Sequence, residues 1–325
     1  MNAQPSSTAG IAFLVLGMVA ISLNDMMIKL LSGDYPLHQM TMTRSVIGLV
    51  LTLFLVKWEG GWTILRTKTP GLHALRGMLI VISNLTYFTA LAVVPLATAT
   101  ALFFVAPLFI TLLSIPLLGE RVGPIRMIAV IVGFCGVLIM FRPWAAEGER
   151  EASLLILALP VLGAATYAGN QVLTRKLGAT SKASAMAVYI QVMFIIVSAV
   201  IYLIAGDGRY AANVEAPSLI FLLRAWIWPV GADLWLFLFL GVNSAVVGYA
   251  LSQAYRLSTA ATLAPFEYVG LPMAILWGVV VFGTFPGATV WVGMLLIAGS
   301  GLFVFLREHQ KKRFVASAQA VKRRY

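Results

Sequence analysis

Charge is what this sequence has least of. Of its 325 residues only 11% are Asp, Glu, Lys or Arg, while 60% are hydrophobic. A soluble domain carries about 25% charged residues, so a soluble globular chain is excluded. Cysteine is nearly absent: Cys135 stands alone, which excludes an intrachain disulfide. The histidines His38, His73 and His309 are scattered without the spacing of a zinc site, so no metal and no other cofactor is expected. Alternating strand patterns are missing, which argues against a β-barrel. No Gly-rich loop ends in Lys-Ser or Lys-Thr, so ATP-driven pumping by this chain is excluded. An integral-membrane enzyme or a passive channel stays as the alternative class. The former lacks a clustered nucleophile or carboxylate set, and the latter a ring of charge.

What the sequence has instead is apolar runs. They are about 17–24 residues long, enough to cross roughly 30 Å of hydrocarbon as helices. Ten spans are expected, at 8–31, 36–56, 72–93, 95–118, 125–142, 152–176, 182–204, 234–256, 259–282 and 287–306. Short connections make neighbours antiparallel hairpins. The longer connector 205–233 contains "SLIFLLRAWIWPV", too short to span and rich in Trp, and is expected at the membrane interface. The first run has no basic segment before it and ends in Asn, Asp and Lys, so it reads as a span and not as a cleavable signal.

Basic residues set the orientation. With the N-terminus inside, Lys57, Arg66, Lys68, Arg76, Arg121, Arg126, Arg175, Lys176, Lys182, Arg256 and the tail after 306 fall on the cytoplasmic side, against Arg142, Arg150, Arg209 and Arg224 outside. Both termini are therefore expected in the cytoplasm. The tail 307–325 reads as a topology anchor beside anionic lipid, not as a nucleic-acid binder, despite the net charge of +11.

The two halves repeat. "PLATATALFF" (95–104) matches "RLSTAATLAP" (256–265), "NDMMIKLL" (24–31) matches "NQVLTRKL" (170–177), and "VGFCGV" (132–137) matches "IAGSGL" (297–302). Five spans per half is an odd number, so the second half enters the membrane inverted. Inverted repeats are a transporter architecture, with the substrate site near the midplane between the repeats. The expected units are 8–142, 152–306 and the tail.

The "LGER" at 118–121 followed by Pro124, the "APFEY" at 264–268 and the five-plus-five arrangement resemble the EamA family of the drug/metabolite transporter superfamily. The resemblance implies an all-α membrane protein of ten helices. It also implies a central cavity lined mainly by the first, third, fourth, sixth, eighth and ninth helices. It allows amino acids and their derivatives, nucleoside-like cofactors and amines as cargo. The second half departs from the pattern: "FGTF" (282–285) puts Thr284 where the family repeats a Gly-Glu pair.

Charge inside a span is expensive, roughly 2.5–3.5 kcal/mol per residue at a helix centre, and marks function or pairing. Ser22, Asp25 and Lys29 share one face of the first helix, and Arg44 enters its own span at the depth of Asp25. Asp25, Lys29 and Arg44 could form a bracing ion-pair network; equally, Asp25 could meet substrate or accept a proton. Lys29 alone reads as snorkelling to the outer interface, and Arg76 as a cytoplasmic anchor. Glu267, between Pro265 and Pro272 and beside Tyr268, is the second candidate for substrate or proton binding. Asn84, Tyr87, Asn170, Gln171, Asn243, Tyr249 and Gln253 complete the polar candidates. Phe103 and Phe104 could stack on a planar solute, and Gly133, Gly136, Gly299 and Gly301 read as close helix contacts. The expected activity is secondary transport of a small organic metabolite through a bacterial-type inner membrane, driven by protons or by exchange.

Overall fold

The computed structural model describes residues 7–119, 123–145, 152–212, 214–258, 263 and 266–322. Among them there are helices and no strands. In chain order these are α1 (Ser7–Leu31), α2 (Leu37–Glu59), α3 (Pro70–Leu91), α4 (Leu96–Phe103), α5 (Ala106–Leu118) and α6 (Pro124–Phe141). Then follow α7 (Leu154–Leu177), α8 (Ala183–Ala205), α9 (Pro217–Leu223), α10 (Ala232–Leu257), α11 (Gly270–Val280) and α12 (Ala288–Lys322). Seven segments are long and apolar enough to cross a membrane, with α4 and α5 together counting as one. Three shorter apolar helices stand at the other expected spans: Met127–Phe141, Gly270–Val280 and Ala288–Phe303. Glu120 and Arg121 of the "LGER" box, and Pro265, lie outside the described residues.

The outer surface is greasy. Phe54, Leu155 and Leu295 are 68%, 74% and 69% exposed, which water would penalise and lipid would not. Trp58, Trp144, Trp228 and Trp235 are exposed at or beyond helix ends, where indole rings favour the headgroup region. Seven long apolar segments and three shorter apolar helices with such a surface make this a multi-pass membrane protein.

Because lipid tails are as apolar as leucine, helices here associate through close packing and interhelical hydrogen bonds. α1 packs on α10 and α3 on α7; α2 lies on α8, and α6 on α12. At the α3–α7 crossing Ser83 Oγ donates to the Gly163 carbonyl at 2.8 Å. At the α6–α12 crossing the backbones touch: a methyl group on Gly136 would stand 2.9 Å from the Gly293 oxygen. Gly133 and Gly301 are also close contacts, against Leu108 and the Tyr268 ring. Gly299 is not, since nothing lies within 4 Å of where its Cβ would be.

Three features differ from the sequence expectation. The fourth span is broken after Phe103, because Pro107 has no N–H for the Phe103 carbonyl and α5 restarts around it. The last helix does not stop at 306: it is 35 residues long and runs on through most of the tail to Lys322. The connector after α8 docks on the start of α2 as well as lying at the surface. Gln39 Nε2 donates to the Ile227 carbonyl (2.5 Å) and Gln39 Oε1 accepts from Ile227 N (3.1 Å).

Candidate functional site

A cavity lies among α1, α3, α4, α7, α10 and α11, with further lining from α2, α5 and α8. About 1340 Å³ of its space is free of protein atoms, the open solvent at its mouth included. Helical periodicity builds its walls. Arg76, Ile80, Ser83, Asn84 and Tyr87 recur along one face of α3; Tyr167, Asn170, Gln171 and Thr174 do so on α7. Arg76 and Tyr87 are eleven residues apart on α3, about 16 Å of helix rise, and belong to different polar clusters.

The first cluster centres on Asp25, 8% exposed. Asn24 Nδ2 donates to Asp25 Oδ1 at 3.2 Å, and Tyr87 Oη to Asp25 Oδ2 at 3.1 Å. Tyr87 Oη also lies 3.0 Å from Thr100 Oγ1, which ties α3 to α4. Arg44 does not meet Asp25 directly. Its Nη1 donates to Asn24 Oδ1 and its Nη2 to Asn84 Oδ1, both at 2.7 Å, so Asn24 stands between cation and anion. The Phe88 and Phe194 rings hold the guanidinium from the side, 5.9 and 5.2 Å from ring centre to carbon. Lys29 takes no part. Its Nζ donates to the Leu91 and Val94 carbonyls at 2.7 and 2.8 Å, a cation at the C-terminal end of α3.

The second cluster centres on Glu267, 2% exposed, which accepts a hydrogen bond from Tyr255 Oη. Asn170 Nδ2 donates to Gln171 Oε1 (3.0 Å) and Gln171 Nε2 to Tyr167 Oη (2.7 Å). Arg76 is part of this cluster and no cytoplasmic anchor: it is 1% exposed. Its Nε donates to Thr174 Oγ1 (2.7 Å) and its Nη1 to the Met186 carbonyl (3.2 Å), with Ser252 Oγ 3.5 Å from Nη2. Among the described residues no carboxylate pairs with Arg44 or Arg76. Sequence reasoning passed over Arg76 because its depth resembles that of an anchor. Its spacing of 4, 7, 8 and 11 residues from Ile80, Ser83, Asn84 and Tyr87 is the signal that places it on the cavity face.

Phe103 and Phe104 add aromatic wall, and Phe103 rests on the rings of Tyr87 and Tyr167 (centres 5.0 and 5.3 Å apart). Thus Asp25, Asn84, Tyr87, Asn170, Gln171, Glu267 and Arg44 share the cavity. Asn243, Tyr249, Gln253 and Tyr268 are engaged elsewhere. Asn243 Nδ2 bonds the Ala20 carbonyl at 2.7 Å. Tyr249 Oη bonds Glu59 at 3.3 Å, and Gln253 accepts from Arg256 at 3.0 Å. The Tyr268 ring packs on Phe104, centres 5.9 Å apart. The face that α10 shows the cavity is Ser244, Val247, Gly248, Leu251 and Ser252.

Comparison with known proteins places this arrangement. Residues 8–142 match the family described as "EamA-like transporter family". The chain is 31% identical to the riboflavin transporter of Vibrio cholerae over 94% of its length and 93% of that protein's. It is 32% identical to the riboflavin transporter of Rhizobium johnstonii, over 78% of this chain and 76% of the relative. It is 25% identical to the S-adenosylmethionine uptake transporter of Rickettsia prowazekii, over 92% and 93%. A solved crystal structure shares the fold at 19% identity with a TM-score of 0.64, covering 95% of this chain and 99% of its own. The chain belongs to the EamA-like transporter family, as its sequence resemblance implied: it is a membrane transporter of small molecules and not an enzyme.

Proposed function

We propose that this chain takes up a planar heteroaromatic metabolite of the flavin class, with riboflavin the first compound to test, across a bacterial-type inner membrane. The observation that carries this reading is the near full-length likeness to the Vibrio cholerae riboflavin transporter. An aromatic-walled cavity with polar groups at both ends suits a solute with a flat ring system and a hydroxylated tail.

The mechanism is alternating access by two inverted five-helix repeats, 8–142 and 152–306, in a ten-helix bundle with cytoplasmic termini and the basic tail as anchor. Packing supports it: α1 on α10 exchanges with α3 on α7 under a twofold axis in the membrane plane, while α2 on α8 and α6 on α12 pair like with like. Asp25 and Glu267 are buried carboxyls, each touched by a tyrosine hydroxyl, and are the groups suited to carry a proton. The cycle runs either on that proton or by exchange of one solute for another.

Liposomes containing the purified chain provide the test. Saturable riboflavin uptake that shows counterflow is the expected result. No saturable uptake removes the flavin reading, and flux without counterflow points to a channel. Competition by S-adenosylmethionine but not by riboflavin would move the substrate to the class of the Rickettsia relatives.

A further inference from the structure

Asn24 and Asn170, which open the two matching stretches, hold the same local pose. Each Nδ2 donates to the side-chain oxygen of the following residue, at 3.2 Å to Asp25 and 3.0 Å to Gln171. Each Oδ1 is thereby left to accept. Asn24 Oδ1 takes a nitrogen donor, Arg44 Nη1 from α2, at 2.7 Å. Asn170 Oδ1 has no donor among the described residues, although Asn170 is only 3% exposed and lines the cavity. The helix that stands to α7 as α2 stands to α1 is α8, and its sequence, Ala183–Ala205, contains no Lys or Arg. A buried carbonyl oxygen without a donor is strongly disfavoured. The counterpart in the first half shows which chemistry completes it: an N–H.

Arg76 says what stands beside that N–H. Thr174 follows Asn170 by one turn; its Oγ1 donates to the Asn170 backbone oxygen (2.7 Å) and accepts from Arg76 Nε (2.7 Å). The guanidinium has five N–H donors, of which its three protein contacts engage only part, and no carboxylate among the described residues pairs with it. Acceptor and spare donors therefore line the same end of the cavity, linked through Thr174 one turn along α7.

We propose that Asn170 Oδ1 accepts a ring N–H of the transported heterocycle while Arg76 donates to the ring carbonyl next to it. The chemical class read there is a carbonyl–N–H edge, as on the pyrimidinedione half of a flavin. This inference rests on the flavin reading, deepens it to an orientation, and assigns Asn170 and Arg76 as specificity-determining residues. An amine cargo would satisfy Asn170 but would face the guanidinium as a like charge.

The test is binding of riboflavin and of 3-methylriboflavin, which lacks the ring N–H, to the full chain in nanodiscs, read by quenching of flavin fluorescence. Methylation should weaken binding to the unaltered chain about tenfold. Asn170→Ala should bind riboflavin about tenfold more weakly and should no longer distinguish the two compounds. Asn170→Asp, which keeps an acceptor, should still distinguish them. Equal affinity of the unaltered chain for both compounds overturns the inference without recourse to any variant. A methylation penalty that persists undiminished in Asn170→Ala overturns it too, and in both cases the flavin reading stands. Absence of riboflavin binding by the unaltered chain removes that reading and this inference together.

Discussion

The two ends of the cavity are built from matching parts and finished differently. At one, Asn24 and Asp25 are closed off: Arg44 fills the asparagine oxygen, and Tyr87 and Asn24 fill both carboxylate oxygens. At the other, neutral Gln171 takes the place of the aspartate, the carboxyl comes from Glu267 on a different segment, and Asn170 keeps an acceptor to spare. A closed network resists rearrangement, whereas a cluster with unused hydrogen-bonding capacity is ready to take a partner. The first end is thus the better brace and the second the better docking point.

The sharpest way to break this contrast is Glu267→Gln, which makes the second end neutral in its acceptor residues. If Glu267 carries the coupling proton, pH-gradient-driven uptake in liposomes should fall more than tenfold while solute exchange persists; undiminished driven uptake would rule the coupling out. Arg44→Met attacks the brace. It strips the donor from the buried Asn24 Oδ1, worth about 1–3 kcal/mol when left unpaired, and from the half-buried Asn84 Oδ1. A loss of about 2 kcal/mol of stability is expected, seen as a lower melting temperature. A variant that melts with the parent would show that the network braces nothing.

Asp25→Gln gives the first end the amide of the second and so erases the asymmetry. Asn24 and Tyr87 still find an acceptor, so stability should change by under about 1 kcal/mol. Riboflavin affinity in a thermal-shift titration should drop if Asp25 meets solute; lowered melting at unchanged affinity assigns it to bracing alone. Lys29→Met should do least. It removes the cation at the Leu91 and Val94 carbonyls, roughly 1 kcal/mol of stability with affinity untouched, and altered affinity would mean that Lys29 acts on the cavity.

Much of this was readable in the sequence. Apolar run lengths gave the order of the helices, and the pairing of "NDMMIKLL" with "NQVLTRKL" aligned Asn24 with Asn170, whose common pose only the structure shows. Periodicity tells which residues share a face, but not which neighbour that face meets. Polarity therefore drew attention to Asn243, Tyr249 and Gln253, although α10 turns small residues, Ser244, Gly248 and Ser252, to the cavity. The same gap hid Arg76, whose depth alone suggested an anchor. The break after Phe103 was missed because Pro107 is also compatible with an uninterrupted apolar run; only the lost partner of one carbonyl decides it.

The contact between Gly136 and Gly293 has a mechanical side. Methyl groups there would stand 2.9 and 3.0 Å from the opposing carbonyl oxygens, so the two backbones touch directly, with the Met140, Leu296 and Ile297 side chains packed close around them. A bearing without play cannot slide, and it can still pivot. Neither α6 nor α12 lines the cavity, so in the alternating-access cycle proposed above this crossing would be the fulcrum for the helices that do, with leverage at the cavity growing with their distance from it.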